Sequence, residues 1–156
     1  MMLRGKNRRG NAVVEFAVAS AILLPSLSGT FQFGFSFYRY NLLQTAVTNG
    51  GMYGAYRTYR CASGSTDIAK VKAAIQNMTV YGTPAPSGTP VPVVPGLKPS
   101  DIEVTYTLTS LQLPTAVTVK VKNYRMKTLF QEYAVSGKPK YTAPYLGRYA
   151  PEESEP

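Results

Sequence analysis

Residues 12–38 read AVVEFAVASAILLPSLSGTFQFGFSFY, and Glu15 is the only charged side chain among these 27 residues. As a helix the stretch would be about 40 Å long, which is enough to cross a hydrocarbon core of ~30 Å with some tilt. Pro25 lies in its middle and lacks a backbone donor, so we expect a kink or a local loosening there. A buried helix of a soluble domain is usually shorter and carries a polar stripe. The stretch therefore predicts a membrane-spanning helix.

The charges and aromatic residues that flank this helix predict its orientation. Arg4, Lys6, Arg8 and Arg9 precede the helix and have no acidic neighbour. Such basic clusters stay in the cytoplasm, so we expect the rest of the chain on the other side of the membrane. The aromatic and basic residues at 37–40 follow the helix and suit the outer interface.

A row of small residues predicts that the helix continues beyond the membrane and packs closely. Ala46, Gly50 and Gly54 are four residues apart and share one helical face, where another helix can approach. Gly34 belongs to a similar row lower down. We predict helix packing at Gly34, Ala46, Gly50 and Gly54, since each glycine lowers the stability of an isolated helix by about 1 kcal/mol. The alternative is that the helix ends near Gly50 and the glycines form a turn.

The remaining sequence predicts a small head with one helix. Residues 63–66 suit a loop and an N-cap. Apolar residues then recur at spacings of three and four up to 81–82, which indicates an amphipathic helix: Ile68, Val71, Ala74, Ile75 and Met78. Residues 83–99 contain six prolines and two glycines, so we expect an extended linker or exposed loop there and no core element.

Alternating apolar and polar residues predict two strands, at 102–108 and 117–122, which residues 110–114 join as an antiparallel pair. Prolines beyond residue 138 restrict any third strand to a short edge strand. The predicted fold class is α+β: a long N-terminal transmembrane helix, then a small helix and an antiparallel β-sheet head. The predicted divisions are a basic leader (1–10), the helix with its extension (11–60) and the head (61–156).

The composition argues against several classes of function. The net charge is +9, but without the four leader residues the balance is 13 basic against 8 acidic residues, spread thinly. We therefore predict no nucleic-acid partner. The absence of histidine excludes histidine metal sites and Ser-His or Cys-His catalysis. Cys61 is the only cysteine, which leaves a buried small side chain or a bond between chains as alternatives.

Two carboxylates, Asp101 and Glu103, share one face of the first predicted strand and superficially look like a catalytic pair. A polar strand face explains them better. We predict no enzyme activity, no metal, no cofactor and no small-molecule substrate.

The string Arg8-Arg9-Gly10-Asn11-Ala12-Val13-Val14-Glu15-Phe16 resembles type IV prepilins and, more closely, the TadE-like pseudopilins of tight-adherence (Flp) pili. In that family a membrane-embedded aspartyl peptidase cuts after the glycine of a short basic leader. The resemblance thus implies processing between Gly10 and Asn11, with Glu15 and Phe16 as the fifth and sixth mature residues. Pro25, Phe33-Gly34 and Gly50-Gly51-Met52-Tyr53 also stand where family members carry such residues.

The resemblance gives Glu15 a role in assembly that physical chemistry supports. A carboxylate near the start of a membrane helix needs a partner. Cleavage would create one, the α-amine of Asn11, which is cationic at neutral pH. In pilin assemblies the glutamate meets this amine on a neighbouring subunit. Without assembly, Glu15 would be a solvated acid in the first turn, favoured by the helix dipole.

The resemblance implies a minor pilin or pseudopilin of the bacterial inner membrane, or of the pilus itself, with prepilin peptidase and other pilin subunits as partners. Two alternatives share its leader. A secretory signal could be cut near Ala19-Ser20-Ala21, although the apolar run continues well past that site. An uncleaved signal anchor would make the chain a single-pass extracytoplasmic interaction protein.

Overall fold

The computed structural model describes residues 8–57, 59–60, 64–110, 113–147 and 149–150. Helix α1 spans Arg8–Ala55 as one element of 48 residues, about 72 Å long. It continues past Gly50, as the main prediction stated, and contains Pro25. Whether the helix kinks at Pro25 stays a prediction.

The first half of α1 stands apart from the rest of the protein. The segment Asn11–Ala55 is long and apolar enough to cross a membrane, and its most apolar part is not buried at all. Large apolar side chains project from this half on every side: Val13, Val14, Phe16, Val18, Ile22, Leu23, Leu24, Leu27 and Phe31. Hydroxyl groups in this half are satisfied within the helix, since Ser26 and Thr30 donate to carbonyls one turn earlier. Such a surface suits lipid.

The second half of α1 is the spine of the head. Helix α2, Gly64–Tyr81, packs along it, and the predicted helix of residues 67–81 thereby lies within α2. Gly82, with φ of +72°, ends α2 by donating its N–H to the Met78 carbonyl at 3.0 Å. The N-cap was predicted within residues 63–66. Ser63 lies outside the described residues, and the side chains of residues 64–66 are not described.

A three-stranded antiparallel sheet completes this layer. Its order is β2 (Ile102–Leu108), β3 (Pro114–Val121), β6 (Lys140–Pro144), and a short 3-10 turn, Pro99–Asp101, leads into it. The two strands predicted by alternation are therefore present as an antiparallel pair, and β6 is the short edge strand expected beyond residue 138. Two-residue strands β1 (Tyr59–Arg60) and β7 (Tyr149–Ala150) pair in parallel beside it.

The core lies between α1, α2 and the sheet. Its fully buried apolar side chains come from these three elements, from the loop after α2 and from the strand at 124–127: Leu43, Val47, Ile75, Val80, Val94, Leu97, Ile102, Val117, Val119, Val121 and Tyr124. Two of these correct the prediction that residues 83–99 contain no core element. Val94 and Leu97 are buried because Val93 donates its N–H to the Val80 carbonyl at 2.8 Å, which holds the loop against α2.

A second hairpin was not predicted as such. Strands β4 (Tyr124–Lys127) and β5 (Glu132–Val135) pair in antiparallel register. Tyr124 and Met126 face the core, whereas Arg125 and Lys127 are exposed. The hairpin is joined to the core by the Tyr124 hydroxyl, which donates to the Pro95 carbonyl at 2.9 Å.

Candidate assembly site

The first turns of α1 contain the residues predicted to take part in processing and assembly. Gly10 and Asn11 lie inside the helix, one turn before Glu15. The Asn11 side-chain amide donates to Glu15 Oε1 at 2.8 Å, and both side chains are exposed. This bond follows from their i, i+4 spacing, because a helical side chain leans back towards the N terminus. It was not predicted, although the spacing could have indicated it.

The surroundings of Glu15 are apolar. Phe16 is 74% exposed, and Val13, Val14 and Val18 are exposed as well. Among the side chains that the structure describes, the carboxylate has a neutral hydrogen-bond partner, the Asn11 amide, on a surface otherwise suited to lipid. A neutral amide satisfies one lone pair of the carboxylate but does not balance its charge.

The predicted helix-packing positions separate into two groups. At Gly34 an added Cβ would meet nothing within 4 Å, so this position is open to a partner outside the chain. Ala46 is buried, and Gly50 and Gly54 lie against α2 of the same chain. At Gly54 an added Cβ would come within 2.8 Å of Ile75 Cδ1 and 3.1 Å of Val117 Cγ1. These upper positions thus hold the head on its own helix.

One polar residue in the apolar half contacts the head directly. The Gln32 side chain donates from Nε2 to Thr128 Oγ1, and its Oε1 accepts the Phe130 N–H at 3.2 Å. Thr128 and Phe130 lie in the turn between β4 and β5. Sequence reasoning could not find this contact, since its partners are nearly 100 residues apart.

The suspected carboxylate pair has structural partners. Glu103 forms an ion pair with Lys120 across the β2–β3 register at 2.9 Å. Asp101 Oδ2 accepts the backbone N–H of Lys98 at 3.0 Å and so closes the short turn before β2. Within the described residues, no three His, Cys, Asp or Glu side chains are grouped as a metal site would need. The alternatives for Cys61 lie outside the described residues.

Comparison with known protein families bears on this N-terminal geometry. Residues 10–51 match the family model described as TadE-like protein. The first helix is TadE-like. The matched range begins at Gly10 and covers nearly all of α1, including the exposed apolar half, Glu15 and the glycine at 50. The resemblance on those residues is thus confirmed, and it implies a pilus-associated, pilin-like protein.

The head lies beyond the TadE-like range. The match covers about a quarter of the chain and stops before α2 and the sheet. Neither the curated proteins nor the solved structures contain a match to the chain. The similarity to that family therefore lies in α1, and the apolar half of this helix supports anchoring by a single pass through a membrane.

Proposed function

We propose that the protein is a minor pilin or pseudopilin of a tight-adherence type IV pilus or a related secretion system. Its head lies outside the bacterial inner membrane and its leader inside. Prepilin peptidase removes residues 1–10, and the mature chain assembles with other pilin subunits through α1. The observation that carries the proposal is a single carboxylate, Glu15, near the start of an apolar helix that the head leaves uncovered.

Charge and length support this orientation. The four basic residues of the leader precede the helix, and the positive-inside rule keeps them in the cytoplasm. The head begins to contact α1 at Gln32, about 32 Å along the helix from Asn11. That distance matches a hydrocarbon core of ~30 Å, so the core of one bilayer fits between the leader and the first contact with the head.

The energetics of Glu15 explain why assembly would follow processing. A carboxylate at the centre of a membrane helix is unfavourable by a few kcal/mol, and less near its end. The Asn11 amide holds the Glu15 carboxylate beside residue 11, where cleavage would release a cationic amine. An amine and a carboxylate that are paired between subunits fix the register of helices that carry no other charge between residues 12 and 38.

Two substitutions test processing separately from assembly. Gly10→Val should leave the full-length mass of the membrane-extracted protein, whereas the natural chain should begin at Asn11. Gly29→Val is the matched control, because Gly29 lies in the same helix with nothing within 4 Å of an added Cβ. We expect normal processing in that control.

Glu15→Ala should be processed normally but should enter pili poorly. Glu132→Ala is its control, since it removes a carboxylate of the head whose ion pair with Lys127, at 3.4 Å, lies on the surface. An intact mass for the natural chain would favour the uncleaved anchor, and loss of about 21 residues would favour a secretory signal. Normal piliation with both Gly10→Val and Glu15→Ala would contradict the proposal.

A further inference from the structure

We propose that the tip of the β4–β5 hairpin is a second membrane contact, in which Leu129 and Phe130 enter the outer-leaflet interface beside α1. The proposal requires only that α1 spans a membrane. It is independent of cleavage after Gly10 and of pilus assembly.

The composition of the tip is unusual for a tight turn. Thr128 and Gln131 close it, with the Thr128 N–H donating to the Gln131 carbonyl at 2.8 Å, so Leu129 and Phe130 are the two loop residues. Two-residue hairpin loops favour Asn, Asp and Gly, which suit the backbone and interact with water. Here both residues are large and apolar, and they are 55% and 69% exposed. The described part of the chain leaves more than half of each side chain uncovered, so insertion into lipid would bury apolar surface that the fold does not.

The depth of the tip is set by its contact with α1. The nitrogen and the oxygen of the Gln32 side-chain amide both form hydrogen bonds with the tip. These bonds place Leu129 and Phe130 at the level of residue 32. If the aromatic residues at 37–40 mark the outer interface, the tip lies about 8–12 Å below it, because each helical residue rises by about 1.5 Å. Interfacial protein segments bury their apolar faces by about 5–10 Å, so the depth fits insertion.

The neighbouring surface favours lipid over a protein partner. Exposed Phe31 and Phe33 flank Gln32 on α1, so apolar side chains of the membrane helix stand on both sides of the residue that bonds the tip. Arg125 and Lys127 are exposed on β4, behind the tip in the hairpin, and Lys127 also forms a surface ion pair with Glu132 at 3.4 Å. Basic side chains in such a position reach lipid phosphates while apolar ones lie deeper. The same bonds explain why a glutamine is tolerated at this depth, since its amide is satisfied by the hairpin and not left in hydrocarbon.

The chain contains no tryptophan, so a single introduced one reports its own surroundings. We would reconstitute full-length Phe130→Trp into vesicles of phosphatidylethanolamine and phosphatidylglycerol, at high lipid dilution, with bromine on acyl carbons near the headgroup. The matched control is Leu146→Trp. Leu146 is 61% exposed, and its N–H bonds the Ala55 carbonyl about 35 Å further along α1. Both leaflets carry bromine, so the orientation of the protein in the vesicle does not matter.

We expect blue-shifted emission from Trp at 130 and bromine quenching several-fold stronger than at 146. Leu129→Trp should behave like Phe130→Trp, which guards against a local effect of one substitution. Quenching at 129 and 130 no stronger than at 146 would overturn the proposal. Blue-shifted emission that is not quenched by bromine and that depends on the protein-to-lipid ratio would also overturn the proposal. It would show that the tip contacts other copies of the chain.

Discussion

Gly50 offers the sharpest test of how the head is attached to its helix. An added Cβ at this position would overlap Thr79 Oγ1 and lie 3.1 Å from Thr79 Cβ and 3.4 Å from the Ile75 carbonyl oxygen. Thr79 is fully buried, and its hydroxyl donates to that same carbonyl at 2.8 Å. Gly50→Ala therefore forces α1 and α2 apart or displaces a buried hydroxyl from its acceptor.

The expected loss can be estimated from these contacts. Overpacking a core costs about 1–3 kcal/mol, and leaving a buried polar group without a partner costs about 1–3 kcal/mol. Replacing glycine by alanine in a helix returns about 1 kcal/mol. The two losses less this gain leave a range of about 1–5 kcal/mol, and we expect a net destabilisation near its middle, about 3 kcal/mol, for Gly50→Ala. For a head of this size that corresponds to a fall in Tm of about 10–20 °C.

Thermal unfolding of the full-length protein in detergent, followed by the near-ultraviolet circular dichroism of its tyrosines, measures the head without interference from the membrane helix. Gly29→Ala is the control, because its Cβ meets nothing within 4 Å, and it should not lower Tm. Thr79→Ala removes the obstructing hydroxyl, so Gly50→Ala combined with Thr79→Ala should be little worse than Thr79→Ala alone. Additive losses, or an unchanged Tm for Gly50→Ala, would refute this packing of α1 on α2.

Three smaller predictions concern single polar groups. Gln32→Leu removes the acceptor of the Phe130 N–H, so hydrogen exchange of that amide should become about fivefold faster while Tm changes little; equal exchange would show that the bond does not form. Asn11→Ala deletes an exposed bond to Glu15 that is worth about 0.2–0.5 kcal/mol, and the processed fraction seen by mass spectrometry should not change; a clear fall would mean that the amide takes part in processing. Burial raises the pKa of Tyr124 above its ordinary value of 10.0. The stability that comes from its neutral form should therefore be complete below pH 10.0 and should be lost as pH rises through the folded-state pKa. Tyrosinate absorbance should show this ionisation, and Tyr124→Phe should remove it.

The elements that depend on local pattern could be predicted from the sequence. The apolar run with one carboxylate identifies α1, and the four-residue spacing of small side chains extends it through Gly54. The alternation around Val104 and Val119 identifies β2 and β3, because each strand has one buried face. These signals come from residues close together in the chain.

The features that depend on distant contacts could not be predicted. Strands β4 and β5 have four residues each, too few for a clear period, and the turn with Leu129 and Phe130 has no turn signal. Val94 is buried only because a proline-rich loop folds back onto α2. In the candidate site, Gly10 and Glu15 are recognised by spacing, whereas the bonds of Gln32 require the whole head to be in place.

The attachment of the head along α1 has a mechanical consequence. It begins at Gln32, passes through the close packing at Gly50 and ends where Leu146 bonds the Ala55 carbonyl. A pulling force along the helix axis would load these contacts side by side, in shear, and not one after another as in peeling. Contacts loaded together share the force. The head therefore reinforces residues 50–54 of α1, a glycine-containing part of the helix that would by itself be its weakest part under tension.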